Sequence, residues 1–258
     1  MTDRLIADLN QLMTSAPEAA VNVAMTVSGA FDGYVTRPSA VGTLYVAFGG
    51  HGVSAVHLAD SPEDFEERFA YLHGRTVLPV ERLPAEIDDH LDAAIETGKP
   101  GRLPLDFFGL TEFQVAVLRK ASEIPSGQVR PYGWVAREIG SPRAARAVGS
   151  ALARNPVPVV VPCHRVVRSD GHLGNYSLGK RENKRILLEA EGLDVTEYES
   201  LSQRGVRLSG SDTTNIFCNP TCRHARRTSA EHRVEFRSEH DARRAGFRPC
   251  KVCRPAAA

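Results

Sequence analysis

The chain has 258 residues, 42% hydrophobic and 24% charged, which is enough to bury real cores in one large domain or in two to three small ones. No apolar run is long enough to span a bilayer, and the N-terminal MTDRLIADLNQL lacks the basic-then-apolar order of a signal peptide, so the chain is expected to be soluble and cytoplasmic with no membrane partner. The net charge of +1 hides an asymmetry: residues 1–100 hold 6 Lys/Arg against 15 Asp/Glu, residues 101–200 hold 14 against 11, and residues 201–258 hold 12 against 5. So basic a tail points to a polyanionic partner.

Residues 1–105 mix short strands and helices. GTLYVAFGGHGVSAVHLA (residues 42–59) reads as a hairpin about a Gly-Gly-His-Gly turn. A helix follows, with Ser61 as N-cap, Pro62 at its first position, and Phe65, Phe69 and Leu72 at helical spacing. PAEIDDHLDAAIETGKPG is a second helix, stopped by Gly98 and Pro100. His51, His57, His73 and His90 have no ligand spacing and read as surface histidines.

From residue 106 the pattern is helical. Thr111 and Gln114 form a capping box. Tyr132 to Ile139 makes a short helix, Gly140 allows a sharp turn, and Ser141-Pro142 is expected to cap a second helix that runs to about Asn155 and is stopped by Pro156. This is the outline of a helix-turn-helix. In the second helix Ala144, Ala145, Ala147, Gly149 and Ala151 are small, which permits close approach to a surface, while Arg143, Arg146 and Arg154 have the reach for phosphates or base edges. RENKRILLEAEG is a further helix, with basic residues expected on its exposed side and Gly192 as its stop.

The chain has five cysteines, an odd count that argues against a disulfide framework. Cys163 stands alone in VVVPCHRVV, with His164 and Arg165 beside it. Cationic or basic neighbours raise the thiolate fraction, one water can relay a proton to His164, and Glu191 is a candidate to orient that base. A buried structural cysteine fits the spacing equally well.

The segment NPVPVVVPCHRVVRSDGHLGNYS, extended upstream through PRAARAVG and downstream to EAEG, resembles the active-site region of O6-alkylguanine-DNA alkyltransferases, also called methylated-DNA–protein-cysteine methyltransferases. The resemblance is close over residues 106–193 and loose over the first hundred. It implies an α/β, ribonuclease-H-like companion domain at 1–105 and a mainly helical DNA-binding and active-site domain at 106–195. It implies an irreversible, single-turnover transfer of an alkyl group, typically methyl, from guanine O6 to Cys163, with double-stranded DNA carrying alkylated guanine as partner. His164 becomes the water-linked base, Glu191 its partner, and Asn155 the tie between helix pair and active-site turn. Tyr176 becomes a donor to the leaving guanine. Tyr132 and Arg146 match the residues that extrude the target nucleotide, and Ala144, Ala145 and Gly149 lie on the groove-facing helix. Pro158 and Ser177 match the guanine-pocket lining. Leu178 stands where some relatives have glycine and is expected to narrow the pocket against bulky adducts. The family implies a monomer with no obligate protein partner. The alternative is a lesion-sensing or regulatory DNA-binding protein that repairs nothing, which would not need a nucleophile.

Cys218-x3-Cys222 and Cys250-x2-Cys253, 27 residues apart, have the paired spacing of a tetrahedral zinc site. A tail this short buries little core, so a structural zinc would supply much of its folding energy. Redox-active CxxC is a weaker rival, since no thioredoxin-like context surrounds it. The region 211–258 resembles the metal-binding domain of the adaptive-response protein Ada, placed after a linker at 196–210. That resemblance implies a zinc-bound cysteine, here Cys218, that takes methyl from a DNA phosphotriester; a zinc-held DNA clamp is the other reading. Arg223, Arg226, Arg227, Arg243, Arg244 and Arg248 suit phosphate contacts. Chelation is expected to unfold residues beyond about 205 and leave guanine repair intact.

Overall fold

A computed structural model describes residues 31–255; the MTDRLIADLNQL segment lies outside them. The first unit is a four-stranded sheet of order β3-β2-β1-β4, formed by β1 (Asp32–Ser39), β2 (Gly42–Gly49), β3 (Gly52–Leu58) and β4 (Val77–Pro79). β1, β2 and β3 form an antiparallel meander, and β4 joins β1 in parallel after the helix α1 (Pro62–His73). The hairpin expected over residues 42–59 is β2–β3. Alternation sorts its side chains: Leu44, Val46 and Phe48 enter one core, while Tyr45 and Ala47 enter another with Phe65 and Phe69 of α1.

Ser61 caps α1 by accepting from Asp64 N, as its sequence suggests. Two expectations change here. Leu72 is exposed rather than buried, although it lies on the same helical stripe as the buried Phe65 and Phe69; it sits in the last turn of α1. His57 and His73 are half-buried rather than on the surface, with ring centroids 6.3 Å apart and packed on Phe65 and Phe69.

The helix α2 (Ala85–Thr97) ends at Gly98 in a left-handed conformation. The helical region follows as α3 (Glu112–Ser122), α4 (Tyr132–Glu138), α5 (Ala145–Ala153), α6 (Arg181–Ala190) and α7 (Val195–Gln203). Its core is continuous with that of the sheet: Val46, Phe48 and Val56 join Ile87 and Leu91 of α2, Leu118 of α3, Val148 and Leu152 of α5, and Val157, Val160 and Val161. Main-chain bonds cross the same boundary, with Val56 N donating to Pro156 O at 2.8 Å. The capping box at Thr111 and Gln114 is present. Ser141-Pro142 does not cap α5. These residues form a turn closed by Ala144 N to Ser141 O, and the helix starts at Ala145 with no side-chain cap.

Residues 196–210, expected as a linker, are instead mostly regular structure. They hold most of α7 and the start of β7 (Leu208–Ser211), because Val195 and Tyr198 pack with Val129, Val167 and Leu188, and Leu208 enters the tail's own core. That tail has a sheet of order β10-β8-β7-β9 from β7, β8 (Ile216–Cys218), β9 (Arg233–Phe236) and β10 (Arg248–Pro249), with two short helices, α8 (Arg223–Arg226) and α9 (Glu239–Arg244). A two-stranded parallel pair, β5 (Arg130–Pro131) with β6 (Val166–Val167), lies beside the lone cysteine. Among the described residues no helix is long and apolar enough to cross a membrane.

Candidate active site and metal centre

The stretch from Asn155 to Arg165 folds as a compact, almost fully buried turn. Asn155 holds it from inside: its Nδ2 donates to Val161 O at 3.0 Å, and its Oδ1 accepts from Val157 N at 3.1 Å. Val159 sits at φ 74, a conformation that a β-branched residue adopts only under constraint. Pro162, at φ −80 and ψ 63, makes an inverse γ-turn, and Cys163 N donates to Val161 O at 2.8 Å. The sequence NPVPVVVPC thus spends its β-branched residues on packing and its prolines on shape, so that the thiol stands at the start of a single 3-10 turn (Cys163–Arg165).

Cys163 is 5% exposed, with Sγ 3.5 Å from Ser177 Oγ. Burial raises its pKa, against the opposing pull of Ser177, Asn155 and the Lys184 ammonium. The resting group is therefore a thiol. His164 is buried beside it, and Nε2 lies 2.7 Å from Glu191 Oε1. Burial lowers the His164 pKa despite that carboxylate, so the ring is neutral. A neutral ring facing a carboxylate through Nε2 carries its proton there, and Nδ1 is left as a lone pair with no protein partner.

Glu191 stays ionised for a second reason. Burial raises it, but hydrogen bonds from His164 and from Arg165 outweigh this and hold it at about 2. Arg165 is fully buried; its Nε lies 2.9 and 3.0 Å from the two Glu191 oxygens, and it also donates to the carbonyls of Thr97, Gly98 and Ile124. Gly127 N completes the carboxylate's shell at 2.9 Å.

A groove of about 1090 Å³ opens over this site, lined by Tyr132, Ala145, Arg146, Gly149, Cys163, Tyr176 and Ser177 among others. Tyr132 opens α4 and Arg146 lies exposed on α5, so the two residues matched to nucleotide extrusion flank one opening. The Tyr176 hydroxyl is buried without a protein partner, and burial raises its pKa well above 10.0, so it keeps its proton. Ala144 ends the turn before α5 and is not in the groove lining. Neither is Pro158, which is buried and bridged to Val161.

Leu178 corrects an expectation: it is 4% exposed, packs into the main core and does not line the groove, so it does not narrow it. Lys184 corrects another. It lies on α6 but is 1% exposed, because Nζ donates to Val166 O at 2.6 Å. Burial lowers its pKa to about 8 while Cys163 opposes the shift. Sequence reasoning missed Lys184 because its spacing is that of a solvated helix face. It named Arg165 only as a neighbouring cation, not as the hub of four elements.

In the tail, the sulfurs of Cys218, Cys222, Cys250 and Cys253 all lie within 4.8 Å of one another, and none is in a disulfide. Cys218 ends β8, Cys222 caps α8, and Cys250 and Cys253 follow β10. A tetrahedral Zn–S4 centre has sulfurs roughly 3.8 Å apart, so this cage fits the ion with little adjustment. Cys222 accepts from Cys218 and Cys253, which hold it ionised, and Cys218 is pushed up in return. A divalent cation removes that conflict by favouring all four thiolates. The four thiols are a structural zinc site.

Two family models match. One, described as the DNA-binding domain of 6-O-methylguanine DNA methyltransferase, covers residues 112–193; the other, the metal-binding domain of Ada, covers 202–256. A Mycobacterium leprae methylated-DNA–protein-cysteine methyltransferase is 39% identical over 157 residues, 59% of this chain and 88% of that protein. The protein of that name from Methanosarcina acetivorans is 49% identical over 82 residues, 32% of this chain and 52% of its own length, so there the chain spans about half of the relative. Among solved structures, Mycobacterium tuberculosis OGT in complex with DNA superposes with a TM-score of 0.50 at 34% identity, over 62% of this chain and 93% of that one.

Proposed function

The chain belongs to the methylated-DNA–protein-cysteine methyltransferase family, and on that premise we propose that it repairs DNA by direct reversal, taking the alkyl group from O6-alkylguanine onto Cys163. The observation that carries this is the arrangement of a protonated thiol that lines the groove, a neighbouring neutral histidine whose Nδ1 is unpartnered, and an ionised glutamate on the other ring nitrogen. His164 Nδ1 takes the Cys163 proton through one water as sulfur attacks the alkyl carbon. The S–C bond forms, the C–O6 bond breaks, and the electron pair passes to the guanine. Tyr176 donates to the ring nitrogen, which limits negative charge there. Burial makes a standing thiolate costly, so deprotonation coincides with attack. The product is a thioether, and nothing in the site reverses it; each molecule acts once.

The target base must leave the stack, which costs a few kcal/mol and is repaid by pocket contacts. Tyr132 and Arg146 at the groove mouth fit that task, with Ala145 and Gly149 letting α5 approach the duplex. The exposed Arg223, Arg226, Arg227 and Arg244 of the tail add phosphate contacts, so binding falls steeply with salt. For Cys218 the zinc-held DNA clamp is the better supported reading: it is 3% exposed, and the groove reaches Asn219, Pro220 and Thr221 but is not lined by it. The proposed transfer draws every group it uses from one chain, so it needs no second protein to complete the site.

The test is intact mass after mixing with a duplex that contains one O6-methylguanine. One methyl on the Cys163 peptide is expected, with none in Cys163→Ala, which still binds the duplex. Lesion binding by the unaltered protein with Cys163 left unmodified would instead establish the sensor reading.

A further inference from the structure

Arg130 is 3% exposed, deep enough that a guanidinium there requires a counter-charge. Among the described residues no carboxylate pairs with it. Its nitrogens donate to Val129 O at 2.8 Å and to Gln128 Oε1 at 2.7 Å, both uncharged. After burial itself, the largest influences on its charge are the four cysteines of the tail. A zinc tetrathiolate carries two formal negative charges, the counter-charge this cation lacks.

Other contacts gather at the same seam. Trp134, with the Arg130 guanidinium 5.8 Å from its ring centroid, donates its indole N–H to Cys253 O at 3.0 Å. Thr221, one residue before Cys222, accepts from Val129 N at 3.0 Å. Arg137 donates to the carbonyls of Arg254 and Pro255, and Arg254 pairs with Glu138 at 2.6 Å.

We infer that the zinc centre is a brace for the repair site, with Arg130 its outer-sphere counter-cation and Trp134 its anchor on the repair domain. The path is short. Arg130 is in register with Val166 in the β5–β6 pair, and Val166 directly follows the Cys163–Arg165 turn. On the other side Pro131 leads directly to Tyr132 at the groove. Removing the metal lets the cluster take up protons and lose much of its negative charge, and the strain of a buried, under-compensated Arg130 falls on the strand pair that carries both the nucleophile's turn and the extruding tyrosine. This differs from an independent tail that unfolds without consequence for its neighbour, and it does not depend on which adduct is repaired.

Trp134 is the chain's single tryptophan, so its emission reports this seam alone. The full-length zinc-loaded protein is treated with excess EDTA while zinc release, tryptophan emission and amide exchange are followed. Emission is expected to shift red in step with zinc release, and exchange at Val166 and Val167 to accelerate. Arg130→Met is expected to bind zinc about 10–100-fold more weakly, as loss of an outer-sphere partner does at other metal sites. Arg130→Lys, which keeps the charge, is expected to recover much of that loss. Wild-type zinc affinity and emission in Arg130→Met would overturn the inference. Unchanged emission and exchange at Val166 after chelation of the wild type would also overturn it, and that arm decides even if the methionine variant fails to fold.

Discussion

Cys163 and the Cys218–Cys253 cluster are buried to the same degree, yet they are held by opposite means. Around Cys163 the protein completes its own shell: valines exclude water, Asn155 fixes the turn, and a neutral histidine hydrogen-bonded to Glu191 stands beside a protonated sulfur. Around the tail cluster the protein supplies four sulfurs and a small core of Leu208, Phe217, Phe236 and Ala242, and leaves the charge balance to a metal. A reactive sulfur needs a built pocket with a base; a structural one needs only geometry and a cation. The two sites share a residue type and little of the physics.

The comparison breaks most sharply at Glu191. Glu191→Gln leaves Arg165 as a buried cation without its carboxylate and removes the ionised partner of His164. It should cost about 3–5 kcal/mol in denaturant unfolding and slow single-turnover methyl transfer by roughly 10²-fold or more, with zinc content unchanged. Wild-type transfer in this variant would remove Glu191 from the site.

Acid should separate the sites next. The Glu191 pKa is depressed from 4.5 to about 2 in the folded chain, so its stabilisation is complete above the unfolded value and is lost as pH falls from 4.5 toward 2. The span corresponds to about 3 kcal/mol. His164, lowered by burial, acts in the same direction: below about 6.5 the unfolded chain takes up its proton first. Stability of metal-free wild type and Glu191→Gln, measured against pH, should converge in acid; parallel curves would refute the assignment.

The smallest effect sharpens the contrast within one residue type. Gly98 lies at φ +58, and a Cβ there would meet Arg165 Nη2 at 2.4 Å, whereas Gly192, at φ +79, has nothing within 4 Å. Gly98→Ala should cost about 1–3 kcal/mol and slow transfer by displacing Arg165. Gly192→Ala should cost about 1 kcal/mol, since only backbone strain is involved. Equal losses, read by thermal unfolding, would mean that the Arg165 contact carries no weight.

The local features of this protein were legible in its residues. The Ser61 and Thr111 caps, the Gly98 and Gly192 stops, the β2–β3 hairpin and the paired cysteines are settled by neighbours a few positions apart, where propensity and spacing act. Resemblance over the Asn155–Glu191 region supplied the roles of Cys163, His164 and Glu191. Only the tertiary structure decided where long side chains end. Lys184 and Arg165 turn inward, Leu178 enters the core, and Arg130 is buried at the seam with the tail, because a buried side chain takes the surroundings the fold brings within reach, and for Lys184 and Arg165 those partners lie well away in sequence. The segment expected as a linker became a helix and a strand for the same reason: Val195, Tyr198 and Leu208 found apolar surfaces that no local pattern announces.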